Sequence, residues 1–281
     1  MLFFVPHPLV SSLTAIENYL GISEGWQPLN DVQRKLIKGV YAEKTDLGFF
    51  RDRELKTYAG QSAAKLNEIL RTEGFDIRLG ELGQNGIGAV SVIKLMFLWI
   101  SQGIRYPMNI GGKTYLAMKF DKGFSVLNSP FHDFPIARLE AMGGYEVFFT
   151  AQGDRRTIPN NGFVLYETIE RIISSAQKAS NDFESLRMPI IKVKTDIDIS
   201  WMIGMRISKG KRSAVLEQAK EQLKLDVDEK GAKMEVASAL GSRSYDFKIA
   251  EQFYVLVRKA GLKKGILYGL VDSNGWMEIP G

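Results

Sequence analysis

The chain has 281 residues, 45% of them hydrophobic and 25% charged, enough to bury a sizeable core and unlike the composition of a disordered or fibrous protein. It contains no cysteine, so disulfides, thiolate catalysis and Cys-type zinc sites are excluded. The formal charge of +5 comes from 37 Lys+Arg against 32 Asp+Glu, a modest excess for this length.

In chain order, the start Met1-Leu-Phe-Phe-Val-Pro-His-Pro lacks the cationic residues and length of a secretory signal. An intracellular, cytoplasmic chain is the expectation, with secretion left open. Leu9 to Leu20 reads as a helix, because Leu9, Leu13, Ile16 and Leu20 recur at helical spacing. Leu36 to Glu43 alternates as a strand does, and Glu54 to Leu70 reads as one or two helices with Leu55, Tyr58, Leu66 and Leu70 facing inward. A glycine-rich loop, Gly80 to Gly88, precedes a buried strand from Ala89 to Ile100. The longest apolar run, Ile87 to Ile100, is interrupted by Lys94 and too short to span a membrane. Short strands follow from Tyr115 to Phe149, then an amphipathic helix from Phe163 to Ala179. Pro189 to Thr195 and Leu223 to Asp228 alternate with period two, and Phe253 to Val257 with Ile266 to Val271 form a hairpin. No linker or repeat divides the sequence, so one domain over residues 1–281 is expected, and the absence of regular βαβ alternation predicts an α+β fold.

Motifs for catalysis fail one by one. Gly112-Lys113-Thr114 suggests a phosphate loop, but Pro107 stands where its first glycine belongs. Gly83, Gly86 and Gly88 have the wrong spacing for a dinucleotide site and precede a strand instead of following one. The only histidines are His7 and His132, and Asp133 beside His132 points to the opposite face of an extended chain. No metal spacing, cofactor motif or enzyme active site is expected. Arg206, Lys209, Lys211 and Arg212 cluster around Gly210, but no aromatic platform accompanies them, so nucleic acid is not the expected partner.

An ordered set of segments resembles the serpin family. Phe3 to Gly21 is similar to the family's short strand and helix that follow a Phe-Ser-Pro motif, with Val5 in place of the serine. Leu36 to Lys44 resembles the next strand, and Val90 to Ile100 resembles a main-sheet strand ending near a tryptophan, here Trp99. Ile136 to Leu139 and Tyr145 to Phe149 fit central hairpin strands, and Met188 to Ile199 resembles the Pro-Lys-Phe-Lys-Ile strand. Leu225-Asp-Val-Asp-Glu-Lys-Gly-Ala-Lys is similar to the end of the fifth main-sheet strand and the hinge of the reactive loop, and the last two strands complete the order. Against the family pattern, the early helices are compressed and the helix across the main sheet lacks a clear counterpart.

The resemblance implies a serpin-like fold with a large central sheet, smaller sheets and surrounding helices, some family helices being absent. It also implies a non-enzymatic inhibitor of serine or cysteine proteases. In that mechanism a protease cuts an exposed loop, and the freed segment inserts into the main sheet as a new strand. The implied hinge is Glu229, Gly231, Ala232, Met234, Val236 and Ser238, with Ala232, Met234, Val236 and Ser238 on one face as insertion requires. The implied scissile region is Gly241, Ser242, Arg243, Ser244 and Tyr245, where Arg243 would suit a trypsin-like protease. Met234 and Val236 are bulky for a hinge, a cost of about 1–3 kcal/mol on insertion. A non-inhibitory interaction or structural protein that keeps the fold but has lost insertion is the alternative. The expected partner is a target protease or another protein.

Overall fold

The computed structural model describes residues 1–23, 25–83, 86–153, 159–179, 183–210, 212–231 and 246–279. It divides into two compact units, each built from separate stretches of chain. The first comprises Met1–Phe4, Leu95–Lys194 and Lys224–Gly281, and the second Val5–Lys94 and Thr195–Leu223.

The first unit carries the largest sheet, seven strands joined antiparallel throughout. In spatial order they are β1 (Leu2–Phe4), β17 (Leu267–Val271), β16 (Phe253–Lys259), β8 (Tyr145–Ala151), β7 (His132–Ala141), β6 (Phe124–Ser129) and β9 (Gln177–Lys178). Strand β17 is buried along its whole length, which is why Leu267-Tyr-Gly-Leu-Val reads as a continuous apolar run without alternation. Helix α4 (Gly162–Ser174) starts where the Asn161 side chain accepts from the Val164 N–H at 2.9 Å. Its Phe163 and Tyr166 pack against Phe4, with ring centroids 5.8 and 5.6 Å away. A four-stranded sheet in the same unit orders β15 (Asp246–Lys248), β10 (Ser185–Pro189), β5 (Lys113–Phe120) and β4 (Ile104–Ile110). Gly111 and Gly112 form the β4–β5 turn at φ 59° and 82°, so the glycines before Lys113 serve a tight hairpin. Strands β11 (Ile191–Ile197) and β14 (Glu221–Val227) pair with each other.

In the second unit, helix α1 (Pro6–Leu20) has Pro6 at its start and Gly21 at φ 64° closing its end. Strands β2 (Leu55–Gly60) and β3 (Gly88–Ile93) form an antiparallel pair, and β12 (Arg206–Lys209) and β13 (Arg212–Val215) form another. Helix α3 (Ala63–Thr72) covers one face of the β2–β3 pair, its Leu66 and Leu70 packing with Val90 and Val92. On the alternate positions, Ser91 and Thr57 turn their hydroxyls to Ser11 and Ser12 of α1.

Three local expectations are corrected. Leu36 to Glu43 is helical, a π-helical turn followed by 3-10 turns after helix α2 (Asp31–Lys35). Leu36 and Val40 bury on one side, and a spacing of four satisfies helix and strand alike. Glu54 to Leu70 contains a strand before its helix; the Ser62 side chain caps α3 at the Lys65 N–H, and Tyr58 is exposed instead of facing inward. The strand expected to reach Ile100 ends at Ile93.

Candidate functional site

Strand β14 ends at Val227 and runs into a tight turn, Asp228 to Gly231, in the first unit. The Asp228 N–H donates to the Gly231 carbonyl at 2.9 Å, and the Asp228 carboxylate accepts from the Lys230 and Gly231 N–H groups at 3.0 and 3.2 Å. Aspartate suits the position because its short carboxylate reaches the backbone two and three residues on.

The turn is anchored from two sides. Trp99 donates its indole N–H to the Asp228 carbonyl at 2.7 Å and its backbone N–H to the Lys230 carbonyl at 3.0 Å. Gly103 donates to the Glu229 carbonyl at 2.6 Å. The Glu229 side chain is 1% exposed and accepts from Arg105 Nε at 3.0 Å, while an Arg105 terminal nitrogen lies 3.8 Å from Asp228. A buried carboxylate is tolerable only with such a partner. Trp99 is itself wedged edge-on between Phe97 and Phe120, with centroids at 5.6 and 6.0 Å.

Gly231 cannot be replaced by a larger residue without movement. Its φ is 146°, and a Cβ there would lie 2.3 Å from the Phe97 carbonyl oxygen and 2.7 Å from the Leu98 Cα. Glycine is required because the backbone passes directly against the 97–98 chain, with which it forms a bridge at Leu98. Of the residues that the sequence assigns to the hinge, Glu229 and Gly231 are placed here. Ala232, Met234, Val236 and Ser238, and the whole scissile segment Gly241, Ser242, Arg243, Ser244 and Tyr245, lie outside the described residues.

No family model matches the chain, and no curated protein matches it in sequence. Solved structures do match. Human glycosylated kallistatin superposes with a TM-score of 0.57 at 15% identity, over 96% of this chain and 90% of that one. Human thyroxine-binding globulin gives 0.59 at 11% identity, over 96% and 91%. Serpin48 of the insect Tenebrio molitor, described as a highly specific serpin, gives 0.59 at 11% identity over the same shares. The chain has the serpin fold. Identities this low establish architecture, and within the serpin fold they leave function to the residues at each site.

The sequence analysis named Glu229 and Gly231 but not Arg105, and it gave Trp99 only as the neighbour of a strand end. Arg105 and Trp99 come from distant positions, and only the pairing of the Trp99 indole with a buried turn gives them meaning. The histidines are structural. His132 Nε2 donates to the Ala151 carbonyl at 2.9 Å and lies 2.8 Å from Thr150, and burial lowers its pKa. His7 is buried against Phe50 in the second unit, and burial lowers its pKa to about 4. Glu221, in the second unit, has both carboxyl oxygens buried without a hydrogen-bond partner, and desolvation pushes its pKa up to about 8. Among the described residues no three His, Asp or Glu side chains gather as a metal site would, and no helix is long and apolar enough to cross a membrane.

Proposed function

We propose that the chain is a serpin-type inhibitor of serine or cysteine proteases, acting through a loop that starts at Gly231. The observation that carries this reading is the anchored turn. A buried ion pair and the Trp99 indole fix the end of β14, and Gly231, where a Cβ would press on the 97–98 backbone, stands where the chain leaves it. Beyond it, Ala232, Met234, Val236 and Ser238 form the alternating hinge, and Gly241 to Tyr245 the bait. An unfilled strand position supports the reading too: among the described residues β3 pairs only with β2, leaving its other edge free. A segment released by cleavage would gain stability by taking such an edge, and the stored difference would trap the attacking protease.

A second reading, a non-inhibitory protein of the same fold, is favoured by one feature of the second unit. Gln222 accepts from the Asp76 N–H at 3.1 Å, and Gln218 accepts from the Gly80 N–H at 2.6 Å while donating to the Glu81 carbonyl at 3.2 Å. These bonds tie the 76–81 segment to the 218–222 segment, and an inserting strand would have to contend with them.

Thermal unfolding before and after limited proteolysis within Gly241 to Tyr245 separates the readings. Insertion predicts a large rise in Tm on cleavage and a detergent-stable complex with a trypsin-like protease. An unchanged or lower Tm, with cleavage and no complex, overturns the inhibitor reading.

A further inference from the structure

Beside the free edge of β3 lies a cavity of about 350 Å³, and every residue that lines it belongs to the second unit. Its size falls at the small end of ligand pockets, which run from about 300 to 1,000 Å³. Leu9, Leu13 and Ile16 from α1 with Leu79, Met202 and Leu216 supply apolar wall, and polar side chains, Arg78, Glu217 and Lys220 among them, line the rest.

Two hydroxyls in this lining have a fixed polarity. Ser12 Oγ donates to Ser91 Oγ at 2.9 Å, and Ser91 Oγ donates in turn to Thr57 Oγ1 at 3.1 Å. A serine hydroxyl has one proton and two lone pairs. Ser12 has committed its proton to Ser91, so it can offer an occupant only an acceptor. At Ser12 itself a carboxylate or phosphate would meet an oxygen with no hydrogen to give, which leaves only the lining cations Arg78 and Lys220 to hold an anion. A neutral hydroxyl would complete the chain by donating to Ser12.

The wall opposite can yield without breaking a backbone ladder. Gly80 and Glu81 are joined to Gln218 through the glutamine side chain alone, and neither segment belongs to a strand.

We propose that this cavity binds a small apolar molecule carrying a single neutral hydroxyl, of the alkylphenol or medium-chain alcohol class, with Ser12 accepting its proton. The site needs no loop insertion, although it lies beside the β3 edge that an inserting segment would take.

The test is calorimetric titration of the full chain with 4-hexylphenol and with its methyl ether, 4-hexylanisole. The two probes differ in the donor alone. The expected result is one-to-one binding of the phenol, with the ether about fivefold weaker, the worth of one net hydrogen bond of about 1 kcal/mol. In Ser12→Ala/Ser91→Ala the hydrogen-bonded serine pair is gone, and the two probes should bind alike. Ala219→Trp places a large ring in the lining and should abolish binding of both. Leu82→Phe, at another part of the lining, serves the same purpose if the tryptophan variant does not fold, with circular dichroism reporting folding. No saturable phenol binding, equal affinity for phenol and ether, a preference that survives the double serine variant, or binding that survives filling would each overturn the proposal.

Discussion

Replacing Arg105 with methionine tests whether the buried ion pair holds the end of β14. At 3.0 Å from Glu229, the gross attraction is about 5.5 kcal/mol at an effective dielectric constant of about 20. Most of that offsets desolvation, so the pair's net worth is small, but breaking it is not symmetrical. Glu229 is 1% exposed and cannot recover water, whereas Arg105 is 21% exposed and keeps Asp228 nearby. Arg105→Met should therefore cost about 3–5 kcal/mol, the usual penalty for leaving a buried charge alone. Glu229→Gln should cost about 1–2 kcal/mol, because the amide still accepts a hydrogen bond. The double variant buries no unpaired charge, so its loss should fall below the sum of the singles by about 2 kcal/mol or more. Urea unfolding at neutral pH, with midpoint and slope measured for all four proteins, gives the cycle. If Arg105→Met lies within 0.5 kcal/mol of the parent, or the two losses simply add, the ion pair does not secure this turn.

Three other outcomes are expected. Gly231→Ala should lower stability by about 2–4 kcal/mol, through a Cβ 2.3 Å from the Phe97 carbonyl oxygen and an unfavourable φ; a shift below 0.5 kcal/mol in urea unfolding would mean that the 97–98 chain is not seated against it. Tyr268→Phe removes the hydroxyl that donates to Glu170 and accepts from the Gly265 N–H at 2.6 Å, and should cost about 1–3 kcal/mol in the same assay. His7 and Glu221 should shape stability against pH in opposite senses. His7 has its folded pKa lowered to about 4 from an ordinary 6.5, so its contribution is lost as pH falls through that interval. Glu221 has its folded pKa raised to about 8 from 4.5, so its contribution is present at low pH and lost as pH rises through that interval. The two slopes cancel between pH 4.5 and 6.5. From pH 6.5 to 8 Glu221 alone acts, and stability should fall by up to about 1.4 kcal/mol per pH unit, a decline that Glu221→Gln removes. Urea midpoints across that range provide the check.

The elements most legible in the sequence were those whose periodicity admits one reading. Leu9, Leu13 and Ile16 mark α1 because three and four residues separate them, and Leu223, Leu225 and Val227 mark β14 because two do. Where spacings serve both periods, as at Leu36 and Val40, tertiary burial decided and the strand reading failed. Ser62 was a visible helix start that would have split Glu54 to Leu70 correctly. Glu229 and Gly231 were singled out through family resemblance, whereas their contacts with Arg105 and Trp99, more than a hundred residues away, carry no local signal. The Ser12–Ser91–Thr57 chain was not legible at all, since an isolated serine in a helix and another in a strand carry no local signal of meeting.

The pairing of β1 with β17 has a consequence for how the molecule comes into being. Leu2 lies opposite Leu270, Phe4 opposite Tyr268, and the terminal amine of Met1 meets Asp272 at 2.8 Å. Strand β1 thus takes its place only after β17, Leu267–Val271, has emerged. Until then β1 has no partner in the sheet, and Phe4 has no Tyr268 to pack against. Closure of this sheet is a late, long-range event, and the nascent chain must keep Leu2-Phe-Phe from pairing elsewhere throughout its own translation.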